Sequence, residues 1–450
     1  MAVATGEKSV TEQLIARMDA PISVADRRRA ALHLVDWLGC AIAGSTVEAG
    51  RIILAEATGK GDVPLFGGDT ADAAGAALAL GALGSLYEMD DVHRTALLHP
   101  GPVVIPAALA AAPCLVSGAA LLDAIIHGYE AMIRIGRAVG PGHYAFFHNT
   151  ATCGGFGAAM AAGTLLGLGE AALTSALGNA GSLAGGLWQC RNEAVMTKTL
   201  HCAEAARRGL TAARLAARGF TGPRFILEGP QGFFAALCAG ADPHDVLQDD
   251  DAWLIFATSF KPWPACRHAH AAIDAALLLR PEIGAVPIEA ITIETFADAR
   301  LFCDRPSPQT AHQAKFSLQH AVAVTLVEGA PSLSAFDPPA LGRPDLVALR
   351  EVTTIGVSPA FTERYPSHFG SAVTVRLQDG RMLSRRVEDA LGDSENPVTE
   401  DALFEKACML MGAAGISPTI CEALILAALS LAEGAPLSDL RHAMAAIHLA

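Results

Sequence analysis

The sequence predicts a mainly α-helical protein with a large discontinuous all-helical domain interrupted by a smaller α+β lid domain. Three observations predict it. Of 450 residues, 52% are apolar and only 17% charged, so the chain can bury a large core and is not a disordered scaffold. The text up to about Phe260 is dominated by Ala, Leu and Gly with few β-branched runs, which favours packed helices. Strand-like alternation is confined to a stretch after about Arg267.

Taken in order, Ser23-Val24-Ala25-Asp26 is an S-x-x-D start signal, followed by Ala31, Leu34, Val35 and Leu38 on one face. Gly154 to Leu168 and Ala203 to Ala217 read as further helices, with Gly39, Gly219 and Gly240 as terminators near helix ends. Ile288 to Phe296 and Val373 to Leu377 alternate as strands. Asp379-Gly380 before Arg381-Met382-Leu383 is a hairpin turn. Lys315 to Glu328 reads as helix, and helix resumes from Thr399 and again after Ile420. The domains are therefore placed at 1–267, 268–394 and 395–450, the last being the return of the helical domain. Clefts between domains are where ligand sites tend to lie.

Lys and Arg number 32 against 46 Asp and Glu, a formal charge of −14. That balance repels phosphate backbones and anionic lipid, so no nucleic acid and no membrane partner is expected. Two charge-poor stretches, Thr95 to Leu122 and Ala138 to Gly169, are long enough to span a bilayer. The first carries Pro100, Pro102, Pro106 and Pro113, and the second is rich in Gly, His and Asn, which favours a tightly packed core over membrane spans. Ten cysteines scattered singly, without a C-x-x-C, predict reduced, mostly buried thiols in a cytoplasmic protein. The first thirty residues show no apolar signal-peptide core.

Four polar islands stand out in this apolar text. The first, Glu88-Met89-Asp90-Asp91-Val92-His93-Arg94 leading to His99-Pro100, crowds acids and bases beside apolar neighbours. Buried ionisable groups are costly unless paired or used; the alternative is a salt-bridge cluster in which Arg94 neutralises Asp90 or Asp91. A metal site from Asp90, Asp91, His93 and His99 matches no standard ligand spacing, so no metal is expected. The second, His143-Tyr144-Ala145-Phe146-Phe147-His148, precedes a Gly-rich helix, whose N-terminus suits an anion. The third, Met196 to His201, places Lys198 in apolar text, where it can move a proton or hold a carboxylate. The fourth, Phe260 to His270, adds Lys261, Arg267 and Cys266, the last a thiol with cationic neighbours. Dinucleotide, P-loop and nucleophile-elbow motifs are missing from the text, so no cofactor is expected.

Together these islands resemble the MmgE/PrpD family. The matching segments are Glu88 to Asp91 with His99-Pro100, Phe147-His148, Thr197 to His201, Lys261 to Pro264, and Lys315-Phe316-Ser317. The resemblance implies a helical domain plus an α+β lid, a homodimer, and a pocket containing Glu88, Asp91, His99, His148, Lys198 and Lys261. It also implies proton movement at carbon beside a carboxylate of a small di- or tricarboxylate. Such chemistry needs a base within hydrogen-bond reach and cations to hold carboxylates. Arg94, Lys198, Lys261, Arg267 and Tyr144 are candidates for binding, and His99 is the first choice for acid or base, because an imidazole as a side-chain type titrates near neutral pH. Lys198 or His148 would be the second proton carrier, with Asp91 and Glu88 completing the catalytic set.

Against the family pattern, Val92, Cys266 and His320 replace a threonine, a histidine and a tyrosine of the decarboxylase, and Gly101-Pro102 replaces a polar pair of the dehydratase. The reading therefore leans to an iminodisuccinate-epimerase-like isomerase. The alternatives are a 2-methylcitrate dehydratase-like or cis-aconitate decarboxylase-like lyase, or a non-catalytic carboxylate-binding paralogue.

Overall fold

The computed structural model describes residues 7–447 apart from Lys60, Cys114 and Ala194. The chain divides into two compact units. One comprises the residues up to Leu86, Asp90–Thr258 and the residues from Thr399 onward; the other comprises Tyr87–Met89 and Ser259–Val398.

The first unit is built from α1 (Val24–Gly44), α2 (Ala73–Leu83), α3 (Gly101–Ala111), α4 (Gly118–Ala138), α5 (Asn149–Leu165), α6 (Glu170–Ser182) and α7 (Thr197–Ala216). The Ser23 hydroxyl accepts from the Asp26 amide while the Asp26 carboxylate accepts from the Ser23 amide, so the expected start of α1 is a full capping box. Small residues let these helices cross closely. A Cβ on Gly128 of α4 would meet the Gly157 carbonyl oxygen of α5 at 2.9 Å, and one on Gly157 would meet the Gly128 oxygen at 2.7 Å. The Ala/Gly-rich text thus reflects backbone-to-backbone packing. Both stretches weighed as membrane spans lie largely buried within this unit. Among the described residues no single helix is long and apolar enough to cross a membrane, although α1 and the helix Glu48–Ala57, bent by 96° to each other, pass that test as a pair.

The second unit holds α8 (His270–Ile283), β1 (Ile288–Thr295), α9 (Ala297–Cys303), α10 (Leu318–Glu328), β2 (Thr353–Val357), β3 (Ser371–Leu377) and β4 (Met382–Val387). Its sheet has the order β2-β1-β3-β4. β1 runs parallel to β2, with Ile293 opposite Ile355, and antiparallel to β3, with Ile293 opposite Val373. β3 and β4 form the expected hairpin, Val375 facing Leu383, turned at Gly380 with φ +87°. Ile291, Ile293, Val373 and Val375 are buried, and α8 packs across β3 and β4. The chain then returns to the first unit with α11 (Glu400–Ala413) and α12 (Pro418–Ser430).

Several sequence expectations need correction. The first unit is not all helical, since Val63–Pro64 pairs with Thr70–Ala71 as a two-residue ribbon. Gly39 does not end α1 but lies inside it, where a Cβ would meet Ala407 Cα of α11 at 3.0 Å; its role is close packing. The predicted helix Lys315 to Glu328 is broken at Phe316–Ser317, because the Ser317 hydroxyl caps α10 by accepting from the His320 amide. α5 and α7 each begin five or six residues earlier than the text suggested. The expectation that every thiol is reduced fails at Cys408 and Cys421, which form a disulfide between α11 and α12. The helix pair turns at Gly415, φ +82°, and brings together cysteines 13 residues apart, a juxtaposition that single spacings do not reveal. Cys114 lies outside the described residues.

Candidate active site

The acid-rich segment is bounded by strained backbone. Glu88 and Leu97 adopt φ of 58° and 52°, the left-handed region that costs non-glycine residues free energy. Within the first unit, the buried Asp91 carboxylate is fully engaged. It accepts from Tyr129 Oη at 2.6 Å, from His33 Nδ1 at 2.7 Å and from the Gly101 amide at 2.8 Å. Burial, with the Asp91 charge next, holds the Tyr129 hydroxyl well above its usual range, so it stays a donor. Burial and then Arg29 push His33 down to about 4, leaving a neutral ring that donates through Nδ1. Asp91 thus ties the start of α3 to α1 and α4. Arg94 is buried beside His93, whose imidazole is pushed down to about 3 by burial and then by Arg137 and Arg94.

His99 is held in one orientation by this frame. Its amide donates to Thr150 Oγ1 at 3.1 Å. Its Nδ1 lies 2.9 Å from the Asp91 carbonyl oxygen and 2.9 Å from Asp90 Oδ2. Both neighbours are acceptors, so Nδ1 carries hydrogen and Nε2 is the ring atom left for chemistry. Asn149, the first residue of α5, donates to the Ala96 carbonyl at 2.8 Å and ties the same loop to that helix.

Three further groups converge there. His148 is the N-cap residue of α5 and its ring centroid is 6.3 Å from that of His99. Its Nδ1 is 3.2 Å from His201 Nδ1, so one ring donates and the other accepts. Burial first, then the Lys198 ammonium, hold His148 well below its ordinary range and push His201 down to about 4. Both rings are therefore neutral at pH 7 beside a lysine charge. Trp188 lies against His148 with centroids 4.3 Å apart, and Tyr144 meets Trp188 edge-on at 5.8 Å. Of the expected residues, His99, His148 and Lys198 are thus brought together, and Tyr144 stands one ring further out. Asp90 and His201 were not selected from sequence. Thr-Lys-x-Leu-His contains the signal for His201, because Lys198 and His201 share one face once α7 starts at Thr197.

The remaining expected residues belong to the second unit. Lys261 is fully buried with Nζ 3.9 Å from Glu88 Oε2. Arg267 ion-pairs with Asp393 and donates to the carbonyl oxygens of Leu391, 3.1 Å, and Ala390, 3.3 Å; its guanidinium secures the 390–393 turn. His320 is likewise committed, its Nε2 2.8 Å from the Ala335 carbonyl oxygen and its Nδ1 accepting from Arg350 at 3.1 Å. Among the described residues, the metal-capable group is His368, Asp389 and Glu395 rather than the acid-rich segment. A cavity of 510 Å³ lined by Arg17, Glu130, Arg134 and Asp250 does not include the imidazole group.

The chain is similar to cis-aconitate decarboxylase of Mus musculus, 29% identical over 343 residues covering 71% of this chain and 68% of that protein. It is 26% identical over 461 aligned positions to cis-aconitate decarboxylase of Aspergillus terreus, covering 95% and 93%. It is 28% identical to the cis-aconitate decarboxylase-like protein oryM of Aspergillus oryzae, covering 89% and 90%. Residues 17–245 match the MmgE/PrpD N-terminal domain and residues 263–418 the MmgE/PrpD C-terminal domain. With both halves matched, the chain belongs to the MmgE/PrpD family.

Proposed function

We propose that this protein is a lyase that decarboxylates a small unsaturated tricarboxylate of the cis-aconitate kind. The convergence of Lys198, His201, His148 and His99 in one unit carries the reading. The relatives' activities support the lyase alternative over the epimerase toward which the altered positions Val92, Cys266 and His320 leaned.

Loss of carbon dioxide leaves an electron pair on carbon that spreads into a neighbouring carboxylate as enolate-like charge. The site must hold that charge and deliver a proton to carbon. Lys198 supplies the positive charge for a substrate carboxylate. The neutral rings of His148 and His201 add hydrogen bonds without adding charge. His99, with Nδ1 committed to Asp90 and Asp91, meets the substrate through Nε2 and is the group assigned to carry the proton.

The test is incubation with cis-aconitate in deuterium oxide. Carbon dioxide release with one deuterium entering the product supports the assignment. Exchange with inversion in substituted succinates, or water loss from citrates, without carbon dioxide release would overturn it in favour of an epimerase or a dehydratase.

A further inference from the structure

The open end of the β3–β4 hairpin gathers one imidazole and two carboxylates that the proposed reaction does not use. Ser371 at the start of β3 faces Val387 at the end of β4, and carrying that antiparallel register outward sets His368 beside Asp389. His368 Nδ1 lies 2.6 Å from Asp389 Oδ1, the two side chains being 28% and 15% exposed. The third group comes from the turn that follows. The Gly392 amide donates to the Asn396 carbonyl oxygen at 2.8 Å, and the Asn396 amide to the Asp393 carbonyl oxygen at 3.1 Å. Asn396 Nδ2 donates to the Asp389 carbonyl oxygen, also at 3.1 Å. The chain thus folds back so that Glu395 returns to Asp389. Each of His368, Asp389 and Glu395 offers a ligand atom within 4.8 Å of the other two.

The donor set is selective. An ion with bonds of about 2.1 Å in a tetrahedral array holds its ligand atoms about 3.4 Å apart, a change within reach of the exposed Glu395 side chain. Calcium and magnesium prefer oxygen alone, whereas imidazole combined with carboxylate suits zinc and its neighbours. The imidazole is what separates this group from an ordinary patch of surface acids. Two carboxylates beside a neutral ring match the charge of a divalent ion. The flanking Arg364 and Arg386 both pair with Glu388. Ser394 Oγ donates to Glu395 Oε2 at 2.9 Å, the kind of outer hydrogen bond that orients a ligating carboxylate.

We propose that His368, Asp389 and Glu395 form a binding site for a divalent transition-metal ion of the zinc class, with water completing the coordination. The ion takes the place of the hydrogen between His368 Nδ1 and Asp389 Oδ1, and the neutral ring then carries its hydrogen on Nε2. Its role is structural, tying Glu395 at the far end of the turn to the hairpin. The Gly392 carbonyl oxygen of that turn accepts from the Phe260 amide at 3.1 Å, and Asp393 Oδ1 accepts from the Ser259 hydroxyl at 2.6 Å. The segment leading to Lys261 therefore rests on the turn that the ion would clasp. None of the three ligands is assigned to the proposed reaction, so the test is independent of that reading.

Untagged full-length protein, stripped with a chelator and then freed of it, is titrated with zinc chloride by calorimetry. Binding of zinc at one ion per chain is expected, with a rise in melting temperature that added chelator reverses. His368→Ala and Glu395→Gln should each weaken that binding at least about tenfold while circular dichroism stays native. Cobalt(II) bound in place of zinc should show visible ligand-field bands without thiolate charge transfer, which separates this site from the cysteines. If His368→Ala does not fold, Glu395→Gln, whose side chain is exposed, decides. Absence of zinc binding, a thiolate charge-transfer band, or an affinity unchanged in either folded variant overturns the proposal.

Discussion

The Nδ1 of His99 lies 2.9 Å from the Asp90 carboxylate, which fixes the tautomer and aim of the imidazole assigned to carry the proton. Removing the ring in His99→Ala should lower kcat by about 10²–10⁴-fold while circular dichroism stays native. Asp90→Asn, which keeps shape but not charge, should lower kcat with little change in KM. Wild-type turnover in both variants would remove His99 from the mechanism.

Lys198 is the cation assigned to the substrate carboxylate. Lys198→Gln should raise KM for a tricarboxylate and lower kcat, because both ground state and developing enolate lose a cation. Unchanged kcat/KM, measured at constant ionic strength, would contradict that role.

Gly101 and Asp91 are in contact through an amide. A Cβ at Gly101 would sit 2.7 Å from Asp91 Oδ1, too close to keep the bond that the Gly101 amide donates. Gly101→Ala should therefore cost about 1–3 kcal/mol, as overpacking does. Tyr129→Phe, which takes one of three donors from the same buried carboxylate, should cost a similar amount, about 1–3 kcal/mol. Denaturant titration at constant m-value measures both; midpoints equal to wild type would mean that Asp91 is not the anchor described.

Histidines shifted by full or partial burial make the first unit acid-sensitive. His33 and His201 are pushed down to about 4 and His93 to about 3, with burial the largest cause in each. In the unfolded chain these rings titrate near about 6.5. Above that pH both states hold neutral rings and the contribution to stability is fully present. As pH falls below it, the unfolded chain takes up protons that the folded one does not, and stability is lost progressively down to the folded values. The melting temperature should thus fall steadily from about pH 6.5 toward about pH 4, and His33→Gln should flatten part of that fall. A melting temperature flat over this range would refute the linkage.

Arg267 is expected to act on the fold. Arg267→Lys loses the planar fork that serves Asp393 and two carbonyl oxygens, and Arg267→Ala leaves Asp393 buried without its cation, a loss of about 3–5 kcal/mol. Thermal unfolding should show the destabilisation. A raised KM at unchanged stability would instead restore Arg267 as a carboxylate clamp.

The local signals in the chain were legible because they are local. Ser23 and Asp26 announce a helix start, Asp379-Gly380 a hairpin, and the switch from Ala/Leu/Gly text to alternating Val and Ile marks the change from helical to mixed structure. The islands around His99, His148 and Lys198 were conspicuous because so few charges surround them. Other features depend on long-range packing. That Gly39 serves packing rather than termination depends on Ala407, more than 360 residues away in sequence, and the Cys408–Cys421 bond depends on how two helices turn back on each other.

By itself the sequence determined the mainly helical class, the family, and which residue types were available for proton chemistry. Only the tertiary structure decided their division of labour. Asp91 and Asp90 are adjacent and chemically alike. The first is saturated by Tyr129, His33 and Gly101, and the second turns toward His99. His201 entered the group because α7 begins at Thr197, and Arg267 is spent on Asp393. The physical reason is common to all of these. Whether a buried charged or polar side chain is free to act depends on which partners satisfy it, and those partners come from distant parts of the chain that only folding assembles.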